Sequence, residues 1–286
     1  MTGPETTTAR SWLYVPGHRG DRVQKALRAG ADAVVVDLED AVPPDRKADA
    51  RAGVAAAVAA AAEAGGPPVW VRVNDPAGPW GEADLDAVTG SGVAGLRLPR
   101  AADPAVVREV ADRTRLPLQL LIETAAGLAR AVELASAHPL VAGLGLGEAD
   151  LVADLRLTSD AGLDWARGHV VVAARAAGLP SPVQSVYTDV ADLDGLRASS
   201  ERGRATGFLG RSVVHPRQVP VVNDVFTPSA EEIRRAAAVV RTAERARSRG
   251  EVAVLDEDGR FVDPAVVERA RVVLGLAASV PRGGDR

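Results

Sequence analysis

The chain is expected to fold as an α/β protein, a (β/α)8 TIM barrel followed by a C-terminal helical arm or lid. Three observations carry that expectation. Eight short β-branched or leucine-rich runs alternate with Ala/Arg-rich helical stretches from Arg10 onward. Most of the runs are continuously apolar, as parallel strands covered on both faces should be. The 286-residue length suits one barrel, a fold of about 250 residues.

The strand candidates are 11–16, 33–38, 69–73, 95–98, 118–122, 141–146, 183–187 and 210–214. Helix signals fill the gaps. Pro44 and Asp45 open a long alanine-rich helix toward Glu63, stopped by Gly65 and Gly66. Asp103 followed by Pro104 supplies an N-cap and a proline at the first helical position. Asp192 can cap a helix running to about Thr206. Successive βα units require right-handed crossovers, which yield a barrel or an open doubly wound sheet, and eight units of regular length favour the barrel. Residues 1–10 read as a disordered lead, 11–227 as the barrel and 228–286 as an arm of the same domain. The arm comprises an arginine-rich helix, a hairpin through Asp256–Asp258 and a last helix from Asp263 and Pro264.

Composition narrows the chemistry. Apolar residues make up 47 % and charged residues 25 % of the chain, a globular profile. Net charge is −4 with no basic block, which argues against nucleic acid as a partner. No apolar run reaches the roughly 20 residues of a membrane span. The Thr-rich start lacks the apolar centre of a secretory signal, so the cytoplasm is the expected location. The absence of cysteine removes disulfides, thiolate metal sites and a cysteine nucleophile. The only lysines, Lys25 and Lys47, lie in helical patterns away from strand ends, which speaks against a Schiff base. Four histidines, His18, His138, His169 and His215, have no ligand spacing. A metal would then rest on carboxylates, favouring Mg²⁺ or Mn²⁺.

Barrel function collects where strands end. Strand two ends in Asp37, Glu39 and Asp40, strand three in Arg72 and Asn74, strand five in Glu123, and strand six in Glu148 and Asp150. Acid at two, base at three and acid at five and six could hold one cation and one anionic substrate together. Each residue also has a plainer role open to it. Glu123 could be the first solvated residue after a buried strand. Asp150 could cap the next helix. Arg72, charged within an alternating strand, could be tied to Asp37 or Glu39. His215 could be a hydrogen-bonded structural residue or a general base. The run Gly143-Leu-Gly-Leu-Gly147 has Glu148 where a dinucleotide loop would need a third glycine, so its glycines are expected to admit a ligand to the backbone.

Taken in order, Leu13-Tyr-Val-Pro-Gly17, Asp37-Leu-Glu-Asp-Ala-Val42, Arg72-Val-Asn74, Leu98-Pro-Arg100, Ile122-Glu-Thr124, Gly147-Glu-Ala-Asp-Leu151, His215-Pro-Arg-Gln218 and Val262-Asp-Pro264 resemble the citrate lyase beta-subunit-like group of the HpcH/HpaI aldolase superfamily. The resemblance implies a Mg²⁺-dependent CoA-ester lyase acting on citryl-, malyl- or citramalyl-CoA, with CoA as part of the substrate and a homotrimer or hexamer as the assembly. It assigns the metal to Glu123 and Asp150, the thioester or substrate carboxylate to Arg72, and CoA phosphates to Arg19. It makes Asp263 the acid/base, contributed across a subunit interface. Arg100 stands where many relatives carry lysine, a change of donor geometry. Malyl-CoA thioester hydrolysis or malate-synthase-like chemistry, and a CoA-independent 2-oxo acid aldolase, are the alternatives.

Overall fold

Apolar runs too short for helices, separated by capped helices, give eight parallel strands that close on themselves in sequence order. The computed structural model describes residues 9–279. The strands are β1 (Ser11–Pro16), β2 (Ala33–Asp37), β3 (Val69–Arg72), β4 (Gly95–Leu98), β5 (Leu118–Ile122), β6 (Val141–Leu146), β7 (Val183–Gln184) and β8 (Gly210–Val213). β8 returns to pair with β1, so no edge is left. The expected seventh strand at 183–187 shrinks to two residues, and a single pair, Gly145 with Val183, joins it to β6. The barrel helices are α1 (Gly20–Ala26), α2 (Lys47–Glu63), α3 (Gly81–Val88), α4 (Pro104–Thr114), α5 (Ala125–Ala129), α6 (Ala131–Ala135), α7 (Glu148–Asp154), α8 (Asp164–Ala176), α9 (Leu193–Ala205) and α10 (Val219–Phe226).

Local chemistry sets the helix ends. Asp103 accepts the Ala105 N–H at 2.9 Å ahead of α4, and Asp192 accepts that of Gly195 at 2.8 Å ahead of α9. Pro44 begins a short 3₁₀ turn, Pro44–Arg46, which leads into α2.

Side chains alternate between two cores. Those facing outward join the helices in the main apolar cluster, which includes Leu13, Val34, Val36, Leu96, Leu98, Leu120 and Ile122. Those facing inward fill the lumen. Trp12 and Trp70 close its lower part edge to face, with ring centres 5.2 Å apart, beside Ala33, Val35 and Val183. Gly95 makes this possible, since a Cβ there would lie 2.4 Å from the Trp70 ring. Above the tryptophans the lumen turns polar. Arg97 is sealed at 1 % exposure and reaches Gln119 on β5, Tyr14 on β1 and Ser212 on β8.

The chain divides into two compact units, the first ending at Phe226 and the second beginning at Thr227. In the second unit, Ser229 and Glu232 form a reciprocal cap that starts α11 (Ala230–Ser248). The antiparallel pair β9 (Val254–Leu255) and β10 (Phe261–Val262) follows, and α12 (Pro264–Ser279) packs on α11. Of the lead expected at 1–10, residues 1–8 lie outside the described residues. Arg10 is not part of a loose lead, because its guanidinium and backbone N–H both bind Asp32.

Candidate active site

The register of β2 on β3 sets Asp37 beside Arg72 at the C-terminal rim of the barrel. Asp37 is 1 % exposed and accepts two parallel bonds from Arg72, Nε and Nη2 each at 2.7 Å. Its oxygens also accept the backbone N–H groups of Glu39 and Ala41, which fixes the rim loop. Arg72 Nη1 lies 2.8 Å from Glu39 and 3.3 Å from Asp40. Burial works against the charge on Arg72, but the acids around it, Asp37 foremost, hold it firmly protonated. The plainer reading of Arg72 thus applies in full, and it also makes the guanidinium rigid. Glu39 is pushed up to about 8 by burial, which the charge of Arg72 only partly offsets against Asp40, Glu123 and Asp37. Its Oε2 stands at ion-pair distance from Arg72 without hydrogen-bond alignment to any donor.

Glu123 follows β5 and is 5 % exposed, so it is not simply the first solvated residue of a loop. Its Oε1 accepts the Arg100 N–H at 2.7 Å. Arg100 adopts φ 50°, the left-handed region that non-glycine residues seldom occupy. Burial, with the charge of Asp150, raises the Glu123 carboxyl to about 7. Its space comes from Gly147, where a Cβ would fall 2.4 Å from Glu123 Oε2 and 2.5 Å from its Cβ. The glycine run in and just after β6, expected to admit a ligand to the backbone, also gives room to side chains of β5 and the residue that follows it, Gly143 facing Gln119, Gly145 facing Leu121 and Gly147 facing Glu123. Asp150 was open to a capping role. Here α7 begins at Glu148, Asp150 lies within its first turn, and its carboxylate is exposed with no hydrogen bond or ion pair among the described residues. Glu148 is tied back by both oxygens to Arg167 at 2.9 Å.

No three His, Asp or Glu side chains converge into a complete ligand set among the described residues. Any site for a hard cation would therefore be short of protein ligands; Glu123 and Asp150 are the candidates, with substrate and water oxygens needed to complete it, as Mg²⁺ is commonly held. The two carboxylates fit that ion. Glu123 is buried, Asp150 is exposed and unpaired among the described residues, and the charge of Asp150 adds to the cost of ionising Glu123.

Lys47 corrects the sequence reading. It starts α2, yet its Nζ reaches the end of β2 and donates to Leu38 O, Glu39 O and Asn74 Oδ1, each at 2.7 Å. Asn74 in turn binds Asp84, which pairs with Arg51. All three donor positions of the ammonium are used, so the residue braces the rim. Asn74 in Arg72-Val-Asn74 was the available signal, because a buried amide needs partners from other elements.

Other expected residues are placed as follows. Arg19 pairs with Asp21 on the surface after β1. Asp263 belongs to the second unit and accepts the Val266 N–H at 2.8 Å at the start of α12. His215 accepts the Arg217 N–H through Nδ1, the hydrogen-bonded role left open for it. Arg97 and its partner Tyr14 went unnoticed, although a charged residue in Gly95-Leu-Arg-Leu98 is the same signal that drew attention to Arg72.

Comparison with known proteins identifies the family to which this barrel belongs. The family model of HpcH/HpaI aldolase/citrate lyase matches residues 10–216. The chain is 39 % identical over 283 residues to a (3S)-malyl-CoA thioesterase of Cereibacter sphaeroides, covering 95 % of each. It is 30 % identical over 311 residues to an L-malyl-CoA/beta-methylmalyl-CoA lyase of the same species, covering 97 % of each. The crystal structure of CitE from Mycobacterium tuberculosis in complex with magnesium, acetoacetate and coenzyme A superposes with a TM-score of 0.78 at 31 % identity, over 94 % of this chain and 98 % of that one. With an eight-stranded barrel, acids and one clamped arginine at its rim, and a family match over most of its length, the chain belongs to the HpcH/HpaI aldolase/citrate lyase family.

Proposed function

We propose that the chain is a Mg²⁺-dependent carbon–carbon lyase that cleaves a 3-hydroxyacyl-CoA ester of the citryl-, malyl- or citramalyl-CoA type into an acyl-CoA and a 2-oxo acid. The observation that carries this reading is the buried, charge-strained Glu123 beside the free Asp150, on the same rim as the rigid guanidinium of Arg72. Glu123 and Asp150 would hold Mg²⁺, or Mn²⁺ by the same donors, and the bound ion would supply Lewis-acid polarisation of a carbonyl oxygen. Arg72 is oriented before substrate arrives. Asp37 takes one N–H from Nε and one from Nη2, leaving the second Nη2 proton for an oxygen that gains charge as the carbon–carbon bond opens. Because the acids fix the fork, Arg72 need not reorganise during the reaction. Asp263 takes the role of proton donor to carbon, supplied by a neighbouring subunit of a homotrimer or hexamer, and Arg19 exchanges Asp21 for a CoA phosphate. No helix among the described residues is long and apolar enough to cross a membrane.

Thioester hydrolysis is the second reading, favoured by the 39 % identity to a malyl-CoA thioesterase. One experiment separates the two. Purified protein with Mg²⁺ is given a panel of malyl-, citramalyl-, β-methylmalyl- and citryl-CoA, and the products are resolved by chromatography and mass. An acyl-CoA plus a 2-oxo acid supports the lyase. Free CoA plus a hydroxy acid supports the thioesterase. An unchanged panel refutes both.

A further inference from the structure

The polar layer inside the barrel holds a cation that the proposed chemistry has not used. Arg97 is 1 % exposed, and every acceptor it meets is neutral: Gln119 Oε1 at 2.8 and 3.1 Å, Tyr14 Oη at 2.9 Å and Ser212 Oγ at 2.8 Å. A guanidinium stays charged in such a place, and burying one without a carboxylate is costly unless another negative group shares its field. Its guanidinium lies 5.3 Å from the Tyr14 ring centre, and Arg72 lies 5.1 Å from the same ring. One phenol therefore sits between the buried cation and the cation of the rim.

Tyr14 Oη already accepts from Arg97, so what remains to it is chiefly its own proton. Among the described residues no group receives that proton. Tyr14 keeps partial exposure while Arg97 beside it has almost none. Trp12 and Trp70 close the lumen lower down, so the accessible part of Tyr14 faces the rim. A donor hydrogen-bonded to a cation is a stronger donor, because the positive charge draws electron density from the phenol oxygen.

We propose that Tyr14 donates its hydroxyl to a negatively charged oxygen of the bound substrate, with Arg97 acting as a positioning residue behind it. The inference rests on the lyase or thioesterase reading and deepens it: the floor of that site selects substrates with an anionic oxygen directed into the barrel. Two oxygens have this chemistry, a carboxylate present from the outset and the enolate oxygen formed during cleavage.

The test compares wild type, Tyr14→Phe, Arg97→Met and the double variant. Steady-state kinetics on the best ester of the panel are read alongside calorimetric binding of pyruvate in the presence of Mg²⁺. Tyr14→Phe loses one hydroxyl and no packing, and unchanged circular dichroism and melting will certify its fold. Loss of a hydrogen bond to a charged oxygen corresponds to about 10- to 100-fold. That loss in KM and pyruvate affinity at constant kcat assigns the hydroxyl to a carboxylate. The same loss in kcat at constant KM assigns it to the enolate oxygen. Arg97→Met should move the same parameter in the same direction, and add little in the Tyr14→Phe background, because it acts through the phenol. A Tyr14→Phe variant equal to an active wild type in kcat, KM and pyruvate affinity overturns the inference alone. A wild type that neither turns over the panel nor binds pyruvate overturns the functional reading instead.

Discussion

Replacing Gly147 by alanine tests the arrangement of the two carboxylates through a single added methyl group. Gly147 has φ −89°, which any residue accepts, so alanine brings no backbone strain. The cost is purely steric. The new Cβ would stand 2.5 Å from Glu123 Cβ and 2.4 Å from its Oε2, against an ordinary carbon–carbon contact of about 3.5–4.0 Å. Oε2 can swing aside, but Cβ is fixed to the backbone of the chain just after β5. The barrel must therefore open locally by about 1 Å, and overpacking of this kind costs about 1–3 kcal/mol. The loss of unfolded-state freedom on Gly→Ala returns about 0.4–1 kcal/mol. We expect a net destabilisation of about 1–2 kcal/mol, a fall of a few degrees in the melting midpoint, and weaker Mg²⁺ binding because Glu123 is displaced. Gly143→Ala is the matched control, since its Cβ would meet Gln119 Nε2 at 3.4 Å, an ordinary contact. Differential scanning calorimetry and Mg²⁺ titration of both variants supply the comparison. If Gly147→Ala melts with Gly143→Ala and binds Mg²⁺ like wild type, the close approach of β6 to Glu123 is not what shapes the site.

Further outcomes follow from the same geometry. Glu123→Gln should abolish calorimetric Mg²⁺ binding, and retained affinity would remove Glu123 as a ligand. Glu123 is raised to about 7, well above its ordinary 4.5, so the metal-free folded state binds a proton more tightly than the unfolded chain does. Its contribution to stability is complete below pH 4.5 and declines as pH rises through about 7. Mg²⁺ binding at pH 6 should accordingly release close to one proton, and at pH 8.5 few, as read by calorimetry in buffers of different ionisation enthalpy; equal release at both would contradict the buried carboxyl. Arg72→Ala should lower turnover by about 10²–10³, and near-normal turnover would end its role. Arg72→Lys keeps charge without the two-pronged contact to Asp37 and should recover only part of the loss. Lys47→Met leaves two strand-end carbonyls and the Asn74 amide short of a donor, at a cost of about 1–3 kcal/mol in urea unfolding; an unchanged midpoint would show that the brace is dispensable.

Much of the rim was legible because its residues stand at the ends of strands. Asp37, Arg72 and Glu123 each close a recognisable apolar run, and helix caps such as Asp103 and Asp192 are local devices read over three residues. The partners that give those residues their properties were not legible. Lys47 sits 27 residues before Asn74, and Arg97 binds Ser212 from 115 residues away. Nothing in the spacing of either chain segment records such contacts. The glycines of β6 show the same limit. Their alternation was visible, but that the vacant face gives room to the neighbouring strand depended on the register of β5 against β6.

By itself, then, the order of residues determined the alternation of strands and helices, their caps, and which polar side chains reach a strand end. These depend on period, propensity and hydrogen bonds a few residues apart, all of which are local quantities. Only the closed barrel decided that Glu123 is buried against Gly147 and charged at a cost, that Asp37 clamps Arg72, and that Tyr14 lies between two guanidiniums. Burial and electrostatic shifts arise from what surrounds a group in three dimensions, and that surrounding exists only once distant strands have met.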